Sequence, residues 1–373
     1  MNDGSRLLVG ASETCSDVLY ATKFFAPDDV IWFSHQSKTY LILSNLEIDR
    51  GRAQARVDKI LSLSDFAEKL ESKLNRRPFK EEVILEAFQQ RDIAQAEVPL
   101  YFPIHIADFL RNNGVNISVC EDEFFPERKT KNAEEIKHIT RALRIAEAGM
   151  ERAFEILRAS KIRGKFLHWG QEKLTSEILR GEIDATMVRL GGLPSRTIVA
   201  CGRQACDPHE VGHGVLKPHH SIIIDIFPRD QKTGYYGDLS RTVVKGRASS
   251  ALTRLYETVF KEQARLLQIL KPGISGAMLH RSLLSNFEQA GYPTELRNGR
   301  WVGFFHGTGH SIGLEIHEPP RFMHTDFYEG LVMTVEPGLY YPEIGGVRLE
   351  DLIVVTKNGN RNLTKIPKFL EIH

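Results

Sequence analysis

The run His306–Pro320, HGTGHSIGLEIHEPP, decides how the rest of the chain reads. Its histidines, His306, His310 and His317, stand at spacings of four and seven among Gly307, Gly309 and Gly313. Glycines allow close backbone approach and unusual dihedrals, so the run reads as a built site and not as a helix face. Two marked stretches follow it: TVEPG at Thr334–Gly338 and GGVRLED at Gly345–Asp351. Two acids precede it, Asp225 within SIIIDIF and Asp238 within GDLSRT. Asp225, Asp238, Glu336, Glu350 and His310 together offer four carboxylates and an imidazole. That donor set suits a pair of hard or borderline divalent metals.

The setting of these acids strengthens the reading. Asp225 is flanked by isoleucines in an apolar strand, where a carboxylate is costly unless it is paired or bound to a metal. Asp238 stands at the start of the next strand, Glu336 at the end of LVMTV, and Glu350 before DLIVV. A buried salt-bridge network with Arg241 and Arg348 accounts for any one of them, but poorly for all four with His310. Four converging carboxylates would repel, and some would have to protonate. Two divalent cations would cancel that charge. Held about 3.5–4 Å apart, they would share a water and lower its pKa towards roughly 7, giving a bridging hydroxide nucleophile.

Composition sets the frame. The 373 residues suffice for two domains, and the net charge of +1 shows no block of one sign. Nothing in it points to nucleic acid or a membrane surface, and no run approaches transmembrane length. The start, MNDGSRLLVG, lacks the character of a signal peptide, and a cytoplasmic location is expected. Cys201 and Cys206 lack a second pair to complete a zinc cage, so all four cysteines read as free thiols.

The chain reads as α+β. Residues 1–125 form a small α/β domain, with strands at Val30–Ser34, Thr39–Ser44 and Asn116–Cys120 and helices near Leu61–Leu74, Glu81–Arg91 and Phe102–Leu110. No nucleotide-binding glycine loop is present, and the domain reads as a support, dimerisation or gating unit. Residues 126–373 form the second domain. Its long first helix shows an apolar stripe from Ile136 to Leu157, and further helices span about Glu172–Leu190, Leu252–Leu270 and Gly276–Ala290. Strands are predicted at Thr197–Cys201, Ser221–Phe227, Ser240–Val244, Leu331–Val335 and Asp351–Thr356.

These motifs resemble those of the M24 metallopeptidases, which include proline-specific aminopeptidases, Xaa-Pro dipeptidases and methionine aminopeptidases. The similarity is strongest over about residues 195–356, and the amino-terminal domain favours the proline-specific branch. The resemblance implies a pita-bread catalytic domain and a dimetal exopeptidase acting on Xaa-Pro bonds of peptides. Two divalent ions are implied (Mn, Co, Zn or Fe, with Mn favoured), and a homodimer is expected. By the same resemblance Asp225 would bind one metal, Asp238 and Glu350 would bridge two, and His310 and Glu336 would complete the second. His306 and His317 match histidines that contact substrate and the developing tetrahedral oxygen. His209, in CDPHE, matches a histidine that assists catalysis, and Arg348 matches an arginine that holds the substrate or a bridging carboxylate. Glu318 is read as orienting His317, and Tyr235, Tyr236 and Trp301 as candidate pocket aromatics. Two departures stand out. Phe227-Pro228 and a longer loop separate the first two ligands by thirteen positions, and His219-His220 replace the usual residues before the first strand. Both are expected to reshape the approach to the metals. The competing readings are a non-peptidase hydrolase or lyase on the same scaffold, and a non-catalytic binding module, whose mark would be lost ligands.

Overall fold

The structure, a computed structural model, describes residues 4–373 and divides into two compact units, residues 1–126 and 127–373. The first unit is built on a six-stranded mixed sheet. Its order is Lys59–Ser62, Lys38–Leu43, Val30–His35, Arg6–Gly10, Gln95–Val98 and Asn116–Val119. Both faces of this sheet are covered, so Val30, Ile31, Trp32 and Phe33 are all buried. That explains their continuous apolar run, where a half-solvated strand would alternate. The predicted helix at Leu61–Leu74 starts at Leu63, because Ser62 accepts from the Asp65 amide and caps it. Residues 59–62 instead pair with Tyr40–Leu43 as an edge strand.

The second unit opens with the helix Ala133–Ala159. Asn132 Oδ1 accepts from the amides of Glu134 and Glu135 at 2.9 and 3.0 Å, and Glu135 Oε2 accepts in return from the Asn132 amide at 2.9 Å. This reciprocal cap fixes where the helix begins. Its buried stripe runs through Ile139, Leu143, Ala146, Met150, Phe154 and Leu157. The predicted helix from Glu172 begins only at Ser176, capped by Thr175, and Glu172–Lys173 belong to a small hairpin sheet.

Two sheets carry the candidate ligands. The four-stranded sheet runs Ile198–Cys201, Ile222–Ile226, Leu239–Lys245, Glu371–Ile372. The five-stranded sheet runs Glu318–Arg321, His310–Ser311, Val332–Val335, Asp351–Thr356, Gly359–Asn362. A hairpin, Gly338–Tyr341 with Gly345–Arg348, lies in sequence between two strands of the five-stranded sheet, Val332–Val335 and Asp351–Thr356. The helices Ser250–Ile269 and Gly276–Gln289 bury Leu255, Val259, Leu266, Leu283 and Phe287 in one core with Met333, Val335, Val347 and Ile353. Gly309 is required where the histidine run crosses the strand Val332–Val335: a Cβ there would stand 1.9 Å from the Thr334 carbonyl oxygen. Among the described residues, no helix is long and apolar enough to cross a membrane.

Candidate metal centre

Sheet register brings the predicted ligands together. Asp225 pairs with Ser240 across the four-stranded sheet, and Asp238 stands one residue before that strand. Glu336 immediately follows Val332–Val335, and Glu350 lies between the strands Gly345–Arg348 and Asp351–Thr356. His310 pairs into the five-stranded sheet beside Val332–Val335. The five side chains thus come from both sheets. One ligand atom each of Asp238, His310 and Glu350 lies within 4.8 Å of the others. His310 Nε2 is 3.6 Å from Asp238 Oδ2 and 3.6 Å from Glu336 Oε1.

The protein leaves these acids under-bonded. Asp225 Oδ1, Asp238 Oδ1 and Glu350 Oε1 are buried without a hydrogen-bond partner. Orphaned buried carboxylate oxygens are costly, and three of them line one cavity that a bound cation could relieve. Burial pushes the Asp238 carboxyl well above the usual range, and Glu350 and Asp225 add to it. Burial does the same to Glu350, helped by Glu336 and Asp225, and raises Glu336 to about 8. Burial lowers His310 to about 3, so its imidazole is neutral and available as a ligand. Oxygen-rich donors with one neutral imidazole fit divalent ions such as Mn, Co, Zn or Fe.

Arg348 organises the opposite side of the site. Its Nη2 donates to Asp225 Oδ2 at 2.7 Å, and its Nε donates to Ser240 Oγ at 3.1 Å. Ser240 Oγ in turn donates to Glu350 Oε2 at 3.0 Å. Arg348 Nη1 donates to the Tyr340 hydroxyl at 3.2 Å, which lies 2.8 Å from His306 Nε2. His306 Nδ1 is 2.8 Å from the Gly307 carbonyl oxygen, so that nitrogen carries the proton. Nε2 therefore accepts, and Tyr340 is its donor. Burial, assisted by Arg348, holds the ring neutral with a pKa of about 3. Arg241 points elsewhere: it donates to Asp351 and to the Glu350 backbone carbonyl, not to a candidate ligand carboxylate.

The five residues, with Arg348, His209, His306 and His317, line one cavity of about 700 Å³. His317 is exposed to it and packs edge-on against His310 with ring centroids 4.4 Å apart. Burial also lowers the His317 imidazole, aided by Arg321. His306 has both ring nitrogens engaged, whereas no hydrogen bond engages the ring nitrogens of His209 or His317 among the described residues. Glu318 does not reach the cavity. It is buried against Lys131 Nζ at 2.6 Å and Arg128, and it accepts from the amides of Leu314 and Glu315 at 2.8 and 3.1 Å. It therefore fixes the loop that presents His317.

Several expectations need adjusting. Phe227 lines the cavity, as its place after Asp225 suggested. His219 and His220 do not; they bond to backbone carbonyls at the other end of that strand. Tyr235 is buried and donates to Glu135, and Trp301 is exposed away from the cavity. Ser240 and Tyr340 were missed by sequence reasoning. Ser240 carried a usable signal, since it lies two residues after Asp238 on the same strand face. Tyr340 had none, because its contact depends on the hairpin folding back.

The family model for metallopeptidase family M24 matches residues 137–357, more than half of the chain. The chain belongs to metallopeptidase family M24. Its M24 relatives include the uncharacterized peptidase YqhT of Bacillus subtilis, 34% identical over 66% of this chain and 65% of that protein. An Xaa-Pro dipeptidase of Pyrococcus horikoshii is 31% identical over 67% of this chain and 71% of its own. Among solved structures, the prolidase from Pyrococcus horikoshii OT3 superposes with a TM-score of 0.78 at 25% identity, covering 98% of this chain and 95% of that one. The M24 fold is thus shared across both units, including the pita-bread arrangement of the second.

Proposed function

We propose that this chain is a dimetal exopeptidase that hydrolyses the Xaa-Pro bond of peptides. The observation that carries the reading is the cluster of Asp238, His310 and Glu350, with Glu336 3.6 Å from His310, Asp225 lining the same cavity, and three buried carboxylate oxygens left unpartnered. These five residues would hold two divalent cations, with manganese favoured. When bound, such cations supply Lewis acidity and lower the pKa of water at neutral pH.

The chain's own residues do the rest. Arg348 orients Asp225 directly and Glu350 through Ser240, so both carboxylates keep one oxygen turned to the centre. His306 is held neutral and fixed by Tyr340 and Gly307, and shapes the wall beside the metals. His317 and His209 face the cavity with unengaged nitrogens and are positioned to hydrogen-bond the substrate and carry protons. The acid cluster attracts a free substrate amine. Proline suits such a site because its imide nitrogen has no hydrogen and its ring fixes φ; recognition then falls on the preceding carbonyl. Residues 1–125 are assigned a support and dimerisation role within a homodimer, and light scattering tests that assembly.

The reading is supported by the name and likeness of the Pyrococcus relatives and by the complete ligand set. It is tested with matched Ala-Pro, Ala-Ala and Ala-Pro-Ala peptides, free and amino-acetylated, in Mn, Co and Zn. Cleavage of the free proline peptides alone is expected. Equal cleavage of Ala-Pro and Ala-Ala would remove proline specificity, and no cleavage by protein holding two metals would remove the peptidase reading.

A further inference from the structure

Arg196 stands between the strands Gly192–Leu193 and Ile198–Cys201, with a left-handed backbone at φ 53. That conformation is uncommon for a residue with a long side chain and is worth a functional question. Arg196 is exposed and lines the same cavity as the metal centre. Among the described residues its guanidinium has no hydrogen bond or ion pair, and neither has that of Arg321, which also lines the cavity. Every acid lining the cavity is a candidate metal ligand: Asp225, Asp238, Glu336 and Glu350. Arg348 is already spent on Asp225. With cations neutralising the four carboxylates, the guanidinium groups of Arg196 and Arg321 line the cavity with no acid partner of their own.

Their positions suit different parts of one substrate. Arg321 pairs in register with His310 on the five-stranded sheet, so the two residues are cross-strand neighbours about 5 Å apart. Ile198 pairs with Asp225 on the four-stranded sheet. Arg196 lies two residues before Ile198, outside the strand, and lines the same cavity as Asp225. Each sheet thus has one such guanidinium in or next to its strands. A simple dipeptide offers one carboxylate for two such groups.

We propose, resting on the peptidase reading above, that this cavity favours peptides carrying a second carboxylate and that Arg196 receives it. The second carboxylate is either an acidic side chain before the proline or one on a residue after it. An arginine bonds a carboxylate through a charge-assisted pair that an uncharged amide cannot match.

The test compares isosteric pairs on metal-loaded enzyme: Glu-Pro with Gln-Pro, and Ala-Pro-Glu with Ala-Pro-Gln. For at least one pair kcat/KM should favour the acid by roughly tenfold, which is about 1.4 kcal/mol, and the preference should shrink with added salt. Arg196→Ala should collapse that ratio towards one, and Arg196→Glu should turn preference towards Lys-Pro or Ala-Pro-Lys. The responding pair identifies which carboxylate is read. Calorimetric binding of the same peptides is measured in parallel, so the inference is decided even if none is cleaved. Equal handling of both pairs in kinetics and binding, or a preference that survives Arg196→Ala, would overturn it. Failure to cleave any Xaa-Pro peptide while Arg196-dependent acid binding persists would refute the peptidase reading and keep this inference.

Discussion

Gly237→Ala tests whether the position of Asp238 is set by the long helix behind it. A Cβ at residue 237 would stand 2.2 Å from the Leu143 amide nitrogen and 2.4 Å from the Ala142 carbonyl carbon. Both are helix backbone and cannot rotate away. Ordinary contact begins near 3.4 Å, so the loop must retreat by roughly an ångström, and overpacking of this kind costs about 1–3 kcal/mol. Asp238 is the next residue and moves with it, whereas metal–ligand distances tolerate only about ±0.2 Å. A misplacement of about 1 Å at a reacting centre costs on the order of 10²-fold in rate. The expected outcome is a folded protein with a modestly lower Tm, at least one weakened metal site by calorimetry, and turnover down about 100-fold. Wild-type metal affinity and turnover in Gly237→Ala would refute the reasoning. A lower Tm with unchanged metal binding would reduce the contact to packing.

Three further outcomes are expected. Tyr340→Phe leaves His306 Nε2 without its donor, so stability should fall by about 1–3 kcal/mol in denaturant titration with both metals retained; unchanged stability would contradict the assigned tautomer. Glu318→Ala strips the partner from Lys131, Arg128 and two loop amides, so kcat should drop about tenfold or more through His317 without loss of metal, and wild-type kcat would show the loop holds without it. The third concerns pH. Glu336 is raised from 4.5 to about 8, chiefly by burial, with Asp238 and Glu350 also raised. The folded metal-free protein thus keeps protons that the unfolded chain has released, and its stability falls as pH rises through that window. Cations bind the ionised carboxylates, so the Tm gain on adding Mn should be larger at pH 8 than at pH 5.5; an equal or smaller gain at pH 8 would contradict the raised acids.

Much of the candidate metal centre was legible because its residues break the local pattern. An aspartate among isoleucines and acids flanking apolar strands announce a cost that something must offset. The helices Ser250–Ile269 and Gly276–Gln289 were legible from their periodicity and their stops at Pro272-Gly273 and Gly291. Strand partners were less so. Arg6–Gly10 and Gln95–Val98 are short, and their assignment depends on neighbours far along the chain. The pairing of Arg348 with Asp225, and not with Glu350 two residues away, was likewise hidden. It follows from the hairpin carrying the guanidinium over the strand Ile222–Ile226, which no spacing in the sequence encodes. The same folding back joins Tyr340 to His306 and gives the histidine run its division between engaged and unengaged rings.

Metal stoichiometry tests the central claim most directly. Elemental analysis of purified, Mn-reconstituted protein is run beside Asp238→Asn, with Ala-Pro hydrolysis measured on the same samples. The account predicts two metals per chain in the wild type, and at least one fewer together with loss of most activity in the variant. Two retained metals and normal turnover in Asp238→Asn would contradict it.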